Sequence, residues 1–142
     1  MSENEILVGP HMFRWEPPDI GYITYAGDLD GYTMSRLSEE GRRFTLGHPY
    51  VFLLIDMSNI GKISAEARRS SATGSSEINL RGMAIIGASA PLRIIAGLVA
   101  RAVDLMNRHA DNPTRFFETE AEARAWIASR RVAIQRSRRG AP

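Results

Sequence analysis

The first hydrophobic positions of the chain are grouped in two short stretches, HMFRWE (11–16) and IGYITYAG (20–27). Both are rich in aromatic and β-branched side chains, which is typical of β-strands. The intervening PPD cannot continue a β-ladder and favours a turn. Together the two stretches predict a β-hairpin, and the preceding EILVG predicts a short edge strand.

The hydrophobic spacing becomes helical after Asp30 and predicts a helix that ends near Gly47. Its apolar stripe consists of Met34, Leu37, Gly41 and Phe44. After the break HPY, the run YVFLLIDM (50–57) is continuously apolar, which is typical of a central strand buried on both faces. The small and polar residues 64–72 then predict a weak helix.

The second half of the chain repeats the alternation of buried strand and helix. GMAIIGA (82–88) predicts another buried strand, and Ser89 and Pro91 suit the N-cap and first turn of a long helix. PTRFF predicts a last short strand, and Thr119 and Glu122 have the spacing of a capping box that begins a final helix. The predicted buried face of the long helix comprises Ile95, Leu98, Val99, Ala102, Val103 and Met106.

This order of elements, β-β-β-α-β-α-β-α-β-α, predicts an α/β fold. We expect a mixed β-sheet with an opening hairpin and about four helices packed on it. The length of 142 residues fits a single domain with its own hydrophobic core. We expect that domain to span residues 1–131, followed by a basic, flexible C-terminal tail at residues 132–142.

Composition and charge exclude several classes of protein. The chain has no cysteine, which excludes disulfides, thiolate zinc sites and cysteine nucleophiles. No apolar run approaches the roughly 18 residues of a membrane span, and the acidic N-terminus lacks the basic start of a signal peptide, so we expect a cytoplasmic protein. Six arginines and no acidic residue occur from Arg124 onward. We expect a solubilising tail there, with weak polyanion binding as the alternative, and no specific nucleic-acid partner.

The segment FLLIDMSNIGKISAEAR (52–68) resembles the central signature of STAS domains, the family of anti-sigma-factor antagonists. In that family a buried strand ends in Asp-hydrophobic-Ser, and a short loop and a helix follow. RGMAIIGASAPLRIIAGLVARA (81–102) and NPTRFFETEAEARAWI (112–127) resemble the SpoIIAA-like branch, which is also described as STAS/SEC14-like. The resemblance covers about residues 20–130 and implies a STAS-like (SpoIIAA-like) fold.

In phospho-switched STAS proteins, a kinase phosphorylates a serine or threonine at the start of the helix after the signature strand, and the added charge breaks a protein interface. The resemblance places Ala65 at this phosphoacceptor position and Ser64 where an acidic residue is common. A switch therefore requires Ser64 to take the role; the alternative is that Ser64 is an N-cap, with Glu66 in the first helical turn. The candidate residues for partner binding or switching are Asp56, Ser58, Lys62, Ser64, Ala65 and Glu66.

Candidate catalytic groups are scarce. Asp56 and Ser58 end a buried strand, where ligand sites of α/β folds gather, but the pattern favours a turn-stabilising role in which Asp56 accepts loop N–H groups. No metal-ligand spacing and no catalytic triad involves the histidines, which are His11, His48 and His109. We therefore expect a non-enzymatic protein that has no metal and no cofactor.

The helix of residues 90–109 is apolar beyond a single buried stripe. This indicates either a dimer face or the wall of a pocket for a small apolar ligand, unless a neighbouring helix covers it. We expect a STAS-like regulatory module that binds a protein partner or a second copy in bacterial-type signalling. The SEC14-like resemblance implies an alternative, a carrier or sensor of a small apolar or lipid ligand. The residues considered for the dimer or ligand face are Leu92, Ile94, Leu98 and Leu105.

Overall fold

The chain alternates strands and helices after three opening strands, as predicted. The computed structural model describes residues 3–74, 78–106 and 111–140. Its elements are β1 (Glu5–Val8), β2 (His11–Glu16), β3 (Ile20–Leu29), α1 (Gly31–Thr45), β4 (Val51–Ile63), α2 (Ala65–Gly74), β5 (Leu80–Ile86), α3 (Ala90–Met106), β6 (Thr114–Phe117) and α4 (Glu120–Gly140).

The described residues form one six-stranded mixed sheet whose strand order is the chain order, β1 to β6. β1, β2 and β3 pair antiparallel, and β3 to β6 pair parallel. The predicted hairpin is β2–β3, with Trp15 opposite Gly21. The parallel half has helices on both faces, which is why β4 begins with the continuous apolar run VFLLI.

The helices α1, α2 and α3 cover one face of the sheet. They form a first core with inward side chains of the strands, such as Phe13 and Leu53. α1 begins where the sequence indicated, because Asp30 is its N-cap and Oδ1 accepts a hydrogen bond from the Thr33 N–H at 2.8 Å. Met34 of the predicted stripe is buried in this core.

α4 covers the opposite face of the sheet. Its Ile127 packs in a second core with Leu54 of β4. The predicted capping pair begins this helix: the Thr119 hydroxyl accepts the Glu122 N–H at 3.2 Å and donates to the Glu122 carboxylate at 2.9 Å. The carboxylate therefore orients the capping hydroxyl.

α4 continues past the predicted domain boundary at residue 131. The chain is helical through Gly140, and Ile134 is only 3% exposed in the second core. Ile134 repeats the inward position of Ile127 after seven residues, which is two helical turns. Residues 132–140 thus continue α4, with Ile134 packed in the second core, where their charge had indicated a flexible tail.

A buried histidine, His11, forms hydrogen bonds to the part of β3 that continues beyond its pairing with β2. His11 is 1% exposed, and its Nδ1 accepts a hydrogen bond from the Ala26 N–H at 3.0 Å. Nε2 is then the protonated nitrogen, and it donates to the Asp28 carbonyl oxygen at 3.1 Å. The imidazole thus pairs with β3 where the register of β3 against β4 shifts.

Candidate functional site

The elbow, residues 56–66, is a strand extension that leads directly into a helix. β4 pairs with both neighbours as far as Asp56, which lies opposite Thr24 of β3 and Ile86 of β5. Beyond Asp56, the described part of β4 pairs with β3 alone and continues to Ile63. The predicted short loop between strand and helix is therefore wrong.

The sequence pattern does not predict this strand extension, because its inward-facing residues do not alternate with outward-facing ones. Met57, Ile60 and Ile63 turn into the first core, and they are three residues apart. Two register shifts against β3, between Thr24 and Ala26 and between Gly27 and Leu29, produce this spacing. The remaining residues face solvent, so the segment appears polar and irregular in the sequence.

Asp56 accepts a backbone N–H as predicted, but within the continuing strand and not in a turn. Its Oδ1 accepts a hydrogen bond from the Ser58 N–H at 2.9 Å. The exposed Ser58 lies against Gly87, which has a φ of +73°, and a Cβ at Gly87 would overlap the Ser58 hydroxyl. The ends of β4 and β5 are therefore too close at these residues to hold a ligand between them.

The middle of the elbow is fixed through its backbone. The Lys62 N–H donates to Asp28 Oδ1 at 2.8 Å. Gly61 approaches so closely that a Cβ there would overlap the Asp28 side chain and backbone. Lys62 itself is exposed, so its backbone is ordered while its side chain faces solvent.

Ser64 is the N-cap of α2. Its Oγ accepts the Ala67 N–H at 3.0 Å, and its carbonyl oxygen accepts the Arg68 N–H at 3.1 Å. The N-cap alternative for Ser64 is confirmed. Ala65 and Glu66 follow in the first turn, and both are exposed.

The first turns of α1 and α2 meet at the elbow. A Cβ on Gly31 would lie 2.8 Å from the Cβ of Glu66. The N-cap of α1 is Asp30, and hydrogen bonding by Thr33 lowers the pKa of this carboxyl. Carboxylates therefore already occupy both helix N-termini, and a phosphate on Ser64 would add negative charge beside them.

The outward face of α3 carries exposed apolar residues. We call Ile94, Leu98, Arg101 and Leu105 the α3 crest; Ile94 and Leu105 are each 69% exposed, and Leu98 is 56% exposed. Leu98 was predicted both on the buried stripe and on the outer face, and only the outer position is correct. Leu92, in contrast, is half-buried against the first core. An apolar pattern nearly all round the helix could not distinguish the two faces.

Two small apolar cavities lie between the sheet and the helices α1 to α3. Their volumes are about 50 and 70 Å³. On α3, the first is lined by Ile95, Ala96 and Val99, and neither is lined by a residue predicted for a ligand face. Pockets for drug-sized ligands occupy roughly 300–1,000 Å³, so these cavities are too small for a lipid.

A charged network at the start of α4 has no counterpart in the sequence interpretation. Arg124 donates to Glu16 through both terminal nitrogens and to Glu120 through Nε, each at 2.8 Å. Arg14 also binds Glu16 at 3.1 Å, and the Tyr22 hydroxyl donates to Glu120 at 2.8 Å. Tyr22 and Glu120 are 98 residues apart in the chain, and Glu16 and Arg124 are 108 apart. No local sequence pattern can therefore predict these contacts between the hairpin and α4.

The contacts of this network fix its ionisation. Hydrogen bonding by Arg124 lowers the pKa of both Glu16 and Glu120, and the pKa of Arg124 is raised in return. Burial, together with the hydrogen bond to Glu120, raises the pKa of Tyr22 to about 12, so its hydroxyl is protonated at neutral pH. Each carboxylate has a guanidinium partner, so the network joins the hairpin to α4 and provides no free acid or base.

Other candidate sites can be placed within the described residues. No group of three or more metal-ligating side chains occurs there, and no helix there combines the length and apolar character of a membrane span. His48 packs on Trp15 with ring centroids 4.8 Å apart, and His109 lies outside the described residues. In the basic segment of α4, Arg130 pairs with Asp111 and Arg131 with Asp19.

Comparisons with known proteins agree with this architecture. A family model described as "Domain of unknown function (DUF7793)" matches residues 18–131, and no curated protein sequence matches the chain. A similar solved structure is that of an uncharacterized protein from the DUF3478 family with a SpoIIAA-like fold, from Shewanella loihica PV-4. The two have 18% sequence identity and a TM-score of 0.55, with 80% of this chain and 89% of that chain covered. The predicted SpoIIAA-like α/β fold is confirmed.

Proposed function

Because the chain belongs to the family described as Domain of unknown function (DUF7793) and has a SpoIIAA-like fold, we propose that it is a non-enzymatic STAS-like regulatory module that binds a protein partner in bacterial-type signalling. The observation that carries this proposal is the α3 crest. Its three apolar side chains are each more than half exposed. An apolar group of this kind on a helix is typical of a surface that packs against another protein.

The elbow ends in the first turn of α2, the helix next to α3. α2 packs beside α3, and its first turn exposes Ala65 and Glu66. Lys62 precedes that turn with its side chain in solvent. An apolar centre with charged residues around it is the usual composition of a specific protein interface. We therefore infer that the partner contacts the α3 crest and the elbow together.

Substitutions of Ser64 distinguish a phosphorylation switch from a residue that acts only as the N-cap of α2. Aspartate is also a good N-cap, so Ser64→Asp should change the melting temperature little, whereas Ser64→Ala should lower the unfolding free energy by about 1 kcal/mol. If the elbow contacts the partner, the added charge of Ser64→Asp weakens binding. Unchanged binding by Ser64→Asp would show that Ser64 is a cap alone.

The contact surface can be mapped by photocrosslinking in cells of the source organism. A benzoylphenylalanine at position 98 should give a covalent adduct with a second protein, which mass spectrometry identifies. Position 132 is the matched control, because Val132 is also an exposed apolar residue but lies on α4, across the sheet. A charge placed on the α3 crest should prevent the contact, so Ile94→Glu should abolish the adduct from position 98, and Val132→Glu should not.

A second copy of the chain would also occupy an apolar helix face. Sedimentation of the purified protein and of Leu98→Glu distinguishes this case. A dimer that Leu98→Glu dissociates, with no adduct except to the chain itself, would assign the α3 crest to self-association and contradict the proposed partner. A monomer with a specific adduct at position 98 supports the proposal.

A further inference from the structure

Tyr25 is a buried residue whose hydroxyl group has a poor acceptor. The side chain is 5% exposed, and the hydroxyl donates to Met34 Sδ at a distance of 4.0 Å. A thioether sulfur is a weak hydrogen-bond acceptor. Buried hydroxyl groups in proteins normally have an oxygen or nitrogen partner, so this contact calls for an explanation.

Tyr25 is one of the residues that the linings of the two apolar cavities share. Tyr25 and Met34 line both cavities, and Ile55 and Met83 do so as well. Adjacent cavities of about 50 and 70 Å³ together approach the space of about 150 Å³ that holds benzene in an engineered apolar cavity. A molecule of six or seven non-hydrogen atoms therefore fits only if the side chains that the two cavities share, such as Met34 and Met83, move and join the cavities.

The first cavity lies under α2. α2 closes the first cavity with the small side chains of Ala67 and Ser71, together with Arg68. The side chains of α2 that are described include one buried apolar residue, Ala67. The space results from this choice of residues, because larger apolar side chains on α2 would fill it.

We propose that these two cavities form a binding site for a small, uncharged, mostly apolar molecule that carries one hydrogen-bond acceptor, such as a ketone, aldehyde or ester, and that Tyr25 donates to that acceptor. Burial raises the pKa of Tyr25, so the hydroxyl keeps its proton and acts as a donor. Although Arg68 and Ser71 lie in the lining, most of it is apolar, so an ionised ligand would lose most of its hydration there, which favours a neutral acceptor. Three methionines line the first cavity (Met34, Met57 and Met83), and their flexible side chains can adjust to a ligand.

Two probes of the same shape test this site: cyclohexanone, which has a carbonyl acceptor, and methylenecyclohexane, which has none. Binding to the full chain is followed by NMR of ¹³C-methyl methionine. Saturable shifts should occur at Met34 and Met83, while Met12, on the other face of the sheet, is the internal control. Absence of saturable shifts with both probes would overturn the proposal.

The role of Tyr25 is tested by the ratio of the two affinities. Tyr25→Phe removes one hydrogen bond and should lower the affinity for the ketone relative to the alkene by about 3- to 10-fold. Tyr32→Phe is the matched control, because Tyr32 is 73% exposed on α1 and should leave the ratio unchanged. An unchanged ratio in Tyr25→Phe would overturn the assigned donor.

A filled cavity gives an independent measurement. Ala67→Leu should abolish the shifts with both probes by occupying the first cavity from α2, and Ala96→Leu should do so from α3 if the first variant does not fold. Persistent binding of either probe to a folded, filled variant would place the probes elsewhere and contradict the site. None of these measurements requires a protein partner, so they are independent of the proposed partner binding.

Discussion

Arg131 donates two hydrogen bonds to the carboxylate of Asp19, with distances of 2.7 Å from Nε and 2.8 Å from a terminal nitrogen. The two residues are 112 positions apart, and the pair joins α4 to the turn between β2 and β3. Asp19 is 2% exposed, and its hydrogen bonds raise the pKa of Arg131. A carboxylate this deeply buried depends on its one guanidinium partner among the described residues.

Removal of the Arg131 guanidinium should lower the free energy of unfolding. Arg131→Met retains the apolar stem of the side chain but leaves the Asp19 charge buried and uncompensated, so we expect the unfolding free energy to fall by about 3 kcal/mol. Urea unfolding at pH 7, followed by circular dichroism, measures the change. Arg136→Met, on the exposed part of α4, should stay within about 0.5 kcal/mol of the parent. A similar, small effect at both positions would contradict the assigned role of the pair.

Two C-terminal truncations distinguish a helix that packs from a tail that does not. Deletion of residues 136–142 retains Ile134 and should change stability by less than about 1 kcal/mol. Deletion of residues 132–142 removes the buried Ile134 side chain and should cost about 2–4 kcal/mol. Thermal unfolding of the two variants gives the comparison. Equal melting temperatures would show that the last turns of α4 contribute nothing to the core.

The Glu16 network should make the free energy of unfolding depend on pH in the acidic range. Hydrogen bonding by Arg124 lowers the pKa of Glu16 in the folded state, so the stabilisation is complete above the unfolded value of 4.5 and is lost as the pH falls through the folded value. Glu16→Gln should therefore be about 1 kcal/mol less stable than the parent at pH 7, and the difference should shrink below pH 4.5. Urea unfolding between pH 7 and pH 3 tests this. Glu39→Gln, on the exposed side of α1, should show no such trend.

The same glycine-to-alanine change should have opposite effects at two positions. Gly97 lies within α3, and a Cβ there meets no atom within 4 Å, so Gly97→Ala should raise stability by about 0.5–1 kcal/mol. Gly87 has a positive φ and touches Ser58, so Gly87→Ala should lower stability by about 1–3 kcal/mol. Melting temperatures suffice as the measurement. A destabilising Gly97→Ala would indicate a contact on α3 that the isolated chain does not show.

Most of the fold follows from local patterns in the sequence. The hairpin, the two central strands and the N-caps at Ser64 and Thr119 depend on residues near one another in the chain, and the structure has them. Contacts between residues that are far apart in the chain could not be predicted from the sequence. The partners of Asp19 and Glu16 lie more than a hundred residues away, and one sequence has no signal that pairs them.

The errors at the elbow and at the C-terminus have specific causes. The outer part of β4 has a neighbour on one side within the described sheet, so most of its residues face solvent, and register shifts remove the alternation that identifies a strand. At the end of α4, the arginines favour an exposed tail in the sequence pattern. The spacing of Ile134 from Ile127 was the signal that could have revealed a packed helix there.

The order of the strands in the sheet has a consequence for folding. Each strand of the described sheet pairs with the strand before it in the chain, so the sheet can grow by one crossover at a time and no pairing waits for a distant segment. α4 differs, because its bonds to Tyr22, Glu16 and Asp19 close loops of 98 to 112 residues. We expect α4 to dock last and to open first in the native state, so that its amide protons exchange with solvent at a lower free energy than those of β4.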